Sequence, residues 1–373
     1  MSILKETESH ATTREVDFLN KIEAVRTILS EKGFDGVEIK SQANFSYLTR
    51  GRGFIGLAST AACGSLFITL DRIFLVSENI EIMRLYKEQL DSNPSVEPIG
   101  FPWNEPKKRD LIVNEITEGL NLATEEELAS EIFKLRSVMT PYDREEYQKL
   151  CYETAVLIEE TCMNIQKGIS DYELAGEISN KLWSNNIEPI TTLIAFDQRA
   201  LNYRHPVMAG AQLENYALVG ICGRRNGLIV SISRDVLLKN DDEMVLKHEK
   251  CAMVNAAFLS GLKAGNTLEK VFERGLMEYE KQGYPLEYKE HHQGGLTGFI
   301  PRELRANYGS THMVRHNEAY AFNPTIQGSK CEDTVLVTEK GINVMTYTGN
   351  YAYVTCDIDG EKFVMPTVYV VND

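Results

Sequence analysis

Residues 291–299 read His291-His292-Gln293-Gly294-Gly295-Leu296-Thr297-Gly298-Phe299, and residues 321–334 read Ala321-Phe322-Asn323-Pro324-Thr325-Ile326-Gln327-Gly328-Ser329-Lys330-Cys331-Glu332-Asp333-Thr334. Polar side chains sit here between short apolar, β-prone runs. The glycines let backbones approach closely. Such a stretch reads as the lining of a pocket built on strands, with His292 and Glu332 as the residues most capable of chemistry.

Working outward, the sequence before and after this stretch repeats a pattern. Thr140-Pro141-Tyr142-Asp143 opens a long helix, with Thr140 as cap, Pro141 in the first turn and Asp143 near the positive end of the dipole. That helix is expected over 141–167, ending before Gly168. Ser170-Asp171-Tyr172-Glu173 is a capping-box pattern opening a second helix to about Asn185. Strands follow from Thr191. The order then recurs: helix 241–263, a break at Gly265, a helix from Thr267 to about Gln282, and strands again. This predicts an internal pseudo-twofold duplication whose halves pair their strands into one sheet, with the site in the cleft between halves. Within the first half, Tyr216–Cys222 and Leu228–Ser233 read as a hairpin closed by Asn226-Gly227.

Upstream, the chain reads differently. Phe18, Ile22, Val25, Ile28 and Leu29 have helical spacing, and Gly33 ends that helix. Phe34–Ile39, Ser65–Leu70 and Ile73–Val76 read as strands, Ile80–Leu90 as a helix, and 93–108 as a proline-bearing loop. Alternating strand and helix predict a small α/β domain over 1–136, followed by a second domain over 137–373.

Composition narrows the classes of function. The chain has 373 residues, 43% hydrophobic and 25% charged, as in ordinary globular proteins. The formal net charge of -15 opposes phosphate backbones, so nucleic acid is not an expected partner. No apolar run approaches the roughly 18 residues of a membrane span. Residues 1–16 are polar, without the apolar core of a secretory signal, and are expected to fray. Seven cysteines at scattered positions, with no C-x-x-C, fit free thiols in a reducing cytoplasm. Cys331 reads as a packing residue rather than a nucleophile.

Taken together, the hairpin, the His-rich segment and Cys331-Glu332-Asp333-Thr334-Val335-Leu336-Val337-Thr338, in that order, resemble the pita-bread family of methionine aminopeptidase, aminopeptidase P, prolidase and creatinase. The resemblance covers nearly the whole chain. It implies an α/β (α+β) fold: a creatinase-like N-terminal α/β domain, then a duplicated domain with a curved, mainly antiparallel sheet covered by helices. The family's metallopeptidases hold two metal ions with two Asp, one His and two Glu. Those positions fall here on Gly220, Ser231, His292, Asn323 and Glu332. Two of five remain. A metal pair needs carboxylates to neutralise and bridge it, so none is expected, and no cofactor is expected.

Creatinase is the member that cleaves a C–N bond without metal, and the position of its acid/base histidine falls on His205. The resemblance therefore implies a metal-independent hydrolase of a small nitrogen compound, with catalytic His205, His292 and Glu332. His205 suits the role because an imidazole near neutrality can take and return a proton. Glu332 either takes part directly or buttresses His292. Arg302 either clamps a substrate carboxylate or is a solvated charge; Arg204, Asn323 and Ser231 are the other candidate substrate contacts. In creatinase-like dimers an N-terminal loop reaches the neighbouring site, which makes Arg50 and Arg52 candidates and implies a homodimer. His291, His312 and His316 read as pocket rim or surface. Two alternatives stay open: an Xaa-Pro peptidase with an atypical site, or a non-catalytic binding module.

Overall fold

A computed structural model describes residues 13–371; the fraying expected of residues 1–16 lies outside them for the first dozen and is corrected at Arg14–Val16, which open a capped helix. The chain divides into two compact units. One runs to Leu135 and includes Met139–Glu146; the other comprises Arg136–Val138 and the chain from Tyr147 onward.

The first unit is a five-stranded mixed sheet with helices. The helix Arg14–Lys32 begins where Thr13 Oγ1 accepts from the Val16 amide and ends at Gly33, whose φ of 76° suits a residue without Cβ. Its apolar stripe of Phe18, Ile22, Val25 and Leu29 is buried. The strands lie in the order Glu97–Phe101, Ile73–Glu78, Ala61–Thr69, Gly36–Ser41, Leu122–Ala123. The middle pairs are antiparallel and the two outer pairs parallel.

Two local expectations fail in this unit. The 93–108 stretch is not all loop, because Glu97–Phe101 adds to the sheet beside Ile73–Glu78. Pro98 is tolerated there because the strand is an edge and needs no second row of donors. The Ile80–Leu90 helix is only a single α turn, Ile82–Arg84, followed by a π turn, Leu85–Gln89.

The chain from Pro141 onward shows the expected repeat. Helices Pro141–Met163 and Asp171–Ser184 precede strands Glu188–Phe196, Tyr216–Arg225 and Leu228–Leu237. Helices Asp242–Gly261 and Leu268–Lys281 precede strands Gly294–Thr297, Ala319–Phe322 and Asp333–Thr338. The duplication extends to the loops. Gly168 N–H donates to Leu213 O at 2.8 Å and Leu213 N–H to Ile169 O at 2.9 Å. Gly265 N–H donates to Val314 O and Val314 N–H to Asn266 O, both at 2.9 Å. Ser170 and Thr267 cap the equivalent helices. The Asn226-Gly227 hairpin has both residues at positive φ, 49° and 86°, as its tight turn requires.

The strands do not pair into one continuous sheet as expected. A four-stranded sheet orders as Tyr369–Val370, Leu228–Leu237, Tyr216–Arg225, Glu188–Phe196. A separate five-stranded sheet orders as Leu304–Arg305, Gly294–Thr297, Ala319–Phe322, Asp333–Thr338, Gly341–Val344. The two meet through single contacts rather than a ladder. Ser233 N–H donates to Glu332 O at 2.9 Å, and Ile229 N–H to Gly298 O at 2.9 Å. Thr334 Oγ1 accepts from Ser231 N–H and donates to Ser231 O, each at 2.8 Å. Where backbone pairing gives way to a side chain, the surface splits, and residues from both sheets face one cleft.

Candidate functional site

The cleft lies wholly within the second unit and has a volume of about 440 Å³. The first sheet contributes Thr191, Leu193, Gly220, Ile221 and Cys222. The second half contributes His292, Asn323, Lys330 and Glu332, with Pro301, Arg302 and Arg305 along the loop after the glycines. His205 enters from the loop behind the helix Gln198–Asn202.

That loop is held by two carboxylates. Asp197, at φ 47°, accepts from the amides of Glu214, Asn215 and Tyr216 at 2.8–2.9 Å. Asp171 accepts from Ala209 and Gly210 at 2.9 and 2.8 Å. Such anchoring fixes where His205 stands although the residue as a whole is exposed.

The His291–His292 segment is held by tight glycine packing. A Cβ at Gly294 would lie 2.1 Å from Ala321 O, and one at Gly295 2.2 Å from Leu304 O. No other residue permits those strands to close on the turn. Gln293 adds a brace, accepting from Tyr279 Oη at 2.9 Å.

The result is a trio of imidazoles. His205 Nε2 lies 2.9 Å from His291 Nε2. His291 stacks on His292 with centroids 4.6 Å apart, and His205 and His292 are 5.6 Å apart. All three are held below the usual histidine range, chiefly by burial. For His205 and His291, Lys330 adds to the effect. His292 is pushed down to about 4, with Arg302 the second cause. The rings are therefore neutral at pH 7, and one nitrogen of the His205–His291 pair donates while the other accepts.

Beside the trio stands a buried charge cluster. Burial alone would raise the Glu332 carboxyl, but Lys330 and then Arg302 outweigh it and hold it below the ordinary range. Arg302 Nη2 is 2.5 Å from Glu332 Oε1, and Lys330 Nζ is 3.3 Å from Oε2. Arg302 Nη1 also donates to Pro301 O at 2.6 Å and to Ser231 Oγ at 3.3 Å.

These contacts correct several expectations. Arg302 lines the cleft but is not an open clamp, since both terminal nitrogens are engaged within the protein. Glu332 faces two cations and does not buttress His292, whose Nδ1 is buried without a partner. Ser231 is fully buried behind Arg302, Sγ of Cys222 3.3 Å from its Oγ, and does not contact the cleft. Arg204 lies outside the lining and pairs with Glu287 at 2.5 Å. Asn323 does line the cleft, with Oδ1 buried and unpartnered. In the other unit, Arg50 is no exposed loop residue: it is 3% exposed, with Nε 3.4 Å from Asp143. Arg52 is half-buried, its guanidinium 5.9 Å from the Phe54 ring centroid. Burial drives the Cys331 thiol well above its ordinary value, which removes it as a nucleophile.

Sequence reasoning undervalued His291 and missed Lys330, Arg305 and Cys222. Lys330 was findable: residues 330 and 332 share one face of an extended segment. His291 was not, because only the fold shows which of two adjacent histidines meets His205.

The five metal-ligand positions implied by the resemblance do not fit a metal pair. Gly220 has no side chain, and a Cβ there would touch only Leu193, at 3.7 Å. Ser231 is covered, Asn323 is neutral, and Glu332 is committed to two cations.

A scan of protein-family models gives no match, and neither does a search of curated proteins. Solved structures do match. The prolidase from Pyrococcus horikoshii OT3 is 18% identical over 88% of this chain and 98% of that one, with a TM-score of 0.72. The Xaa-Pro dipeptidase from Bacillus anthracis is 17% identical over 89% and 98%, at 0.69. The N-terminal domain of the FACT complex subunit SPT16 from Cicer arietinum is 14% identical over 89% and 96%, at 0.65. The chain has the pita-bread fold of the prolidases and Xaa-Pro dipeptidases. That architecture alone fixes no activity, since it also builds a subunit of the FACT complex.

Among the described residues, no helix is long and apolar enough to cross a membrane.

Proposed function

We propose that this cleft hydrolyses a C–N bond in a small anionic or zwitterionic nitrogen compound, as creatinase does, without a carboxylate-bound metal pair. The supporting observation is the pairing of His205 with His291 beside a cation-rich wall. His205 is a neutral imidazole at working pH, able to take a proton from water and return it to the leaving nitrogen. Lys330, Arg302 and Arg305 give the wall more positive than negative charge, since Glu332 is the one carboxylate among the described residues that line it. That balance draws an anionic substituent, and Asn323 Oδ1 offers an acceptor for an N–H.

The test is turnover of a panel of small amides, amidines and ureido acids by protein treated with EDTA and dialysed. Hydrolysis that survives chelation supports the reading; activity that appears only with added metal sinks it. A second reading, an Xaa-Pro peptidase with an atypical site, draws on the structural neighbours named prolidase and Xaa-Pro dipeptidase. Release of proline from Gly-Pro would favour it. We also propose that the protein acts as a homodimer in the cytoplasm; light scattering that gives only a 42.1 kDa species at micromolar concentration would remove the dimer.

A further inference from the structure

We infer that His205, His291 and His292 form a binding site for one divalent transition-metal ion of the zinc type, separate in its ligands from any carboxylate-bridged pair. Each ring offers a nitrogen, and the three nitrogens lie within 4.8 Å of one another. Around a tetrahedral ion with bonds of about 2.0–2.1 Å, neighbouring nitrogens stand roughly 3.3 Å apart. The His205–His291 distance of 2.9 Å falls short of that value by a few tenths of an ångström, and every separation stays within 4.8 Å, so the rings need little rotation to meet an ion.

Two further observations point to a ligand. His291 is only 6% exposed, yet its Nδ1 has no partner, and the same nitrogen of His292 is buried and unpartnered. Buried ring nitrogens are seldom left this way. The protein therefore ties the tautomer of His291 to that of His205 through their Nε2 contact and leaves that of His292 to whatever occupies the cleft. Three imidazoles suit zinc, copper, nickel or ferrous iron and discriminate against magnesium, which takes oxygen.

Lys330, Arg302 and Arg305 oppose a cation here and set a ceiling on its affinity. The ion also engages the imidazole assigned to proton transfer. On the function proposed above, which this consequence rests on, a bound ion withholds His205 from catalysis, and the site is inhibitory.

The experiment is equilibrium dialysis of the full-length protein against zinc chloride, with magnesium chloride as control, and the visible spectrum after cobalt(II) addition. It needs no substrate, so its failure is distinct from failure of the hydrolase reading. We expect one equivalent of zinc retained, no magnesium, and cobalt d–d bands without a thiolate charge-transfer band. His205→Ala and His292→Ala should each weaken retention at least about tenfold. His205 is exposed, so its replacement leaves the fold intact even if the His292 variant unfolds. No zinc retained, retention unchanged in the His205 variant, or a thiolate band assigning the ion to cysteine would overturn the proposal.

Discussion

Arg302 sets its Nη2 2.5 Å from Oε1 of Glu332, and both side chains are nearly out of water. The pair consumes the carboxylate that would otherwise be the strongest anion in the cleft. Lys330 approaches the other oxygen at 3.3 Å, so the cluster carries one more positive than negative charge.

Breaking this pair from one side should be costly. Arg302→Met leaves Glu332 buried with a single counter-charge, and removing one partner of a buried pair destabilises by about 3 kcal/mol or more. The low end applies because Lys330 stays. Urea denaturation should show that loss, and Glu332→Gln added to Arg302→Met should recover part of it. Additive losses in the double variant would mean the two residues act independently.

Acid should weaken the fold through the imidazoles. His292 titrates near 4 in the folded protein and near 6.5 when unfolded. Between those values the unfolded chain binds the extra proton, so stability falls as pH drops from about 6.5 towards 4. His205 and His291 shift in the same direction. Melting temperatures of the wild type and His292→Gln, compared at pH 7 and pH 5, should converge or cross on acidification. Parallel curves would show that His292 contributes nothing to the pH dependence.

The sequence carried the fold further than the site. The duplicated helix–break–helix–strand order was legible because its signals are local: Ser170 and Thr267 as caps, Gly168 and Gly265 as left-handed stops, and Asn226-Gly227 at the hairpin. The split between the two sheets was not, because it turns on Thr334 Oγ1 occupying the hydrogen-bonding groups of Ser231, a contact across 103 residues. Residue type marked His292 and Glu332 as capable of chemistry, and the resemblance to creatinase added His205. It could not tell that Arg302 is committed to Glu332, that Arg204 is committed to Glu287, or that Arg50 is buried. An arginine's freedom depends on partners distant in sequence, and no local pattern records them.

Gly220 occupies its place without backbone need. Its φ is not positive, and an added Cβ would meet only Leu193 at 3.7 Å, on the wall of the cleft. Gly220→Asp should therefore fold with a melting temperature within a few degrees of wild type, its carboxylate facing Arg302 and Lys330. A strong loss of stability would mean that the cleft wall is closed in solution. Gly294→Ala is the contrast: its Cβ would fall on Ala321 O, and that variant should unfold or fail to express.

His205 carries the mechanistic claim, and its place in the fold makes the test clean. The residue is exposed overall and its loop is anchored by Asp171 and Asp197, so His205→Ala removes a proton carrier without opening a core cavity. Loss of a general acid/base lowers rates by about 10²–10⁴. Against a substrate found in the amide panel, kcat should drop by that factor, with the melting temperature and KM little changed. The base form is the active one. Burial first and Lys330 second hold its pKa below 6.5, so the acid limb of the kcat profile should lie below pH 6.5 and vanish in the variant. His291→Asn tests the partner separately: it removes the hydrogen bond at 2.9 Å while leaving His205 in place, and should displace that acid limb rather than abolish turnover. Normal turnover by His205→Ala would refute the assignment, and an unchanged limb in His291→Asn would leave His205 to act without its neighbour.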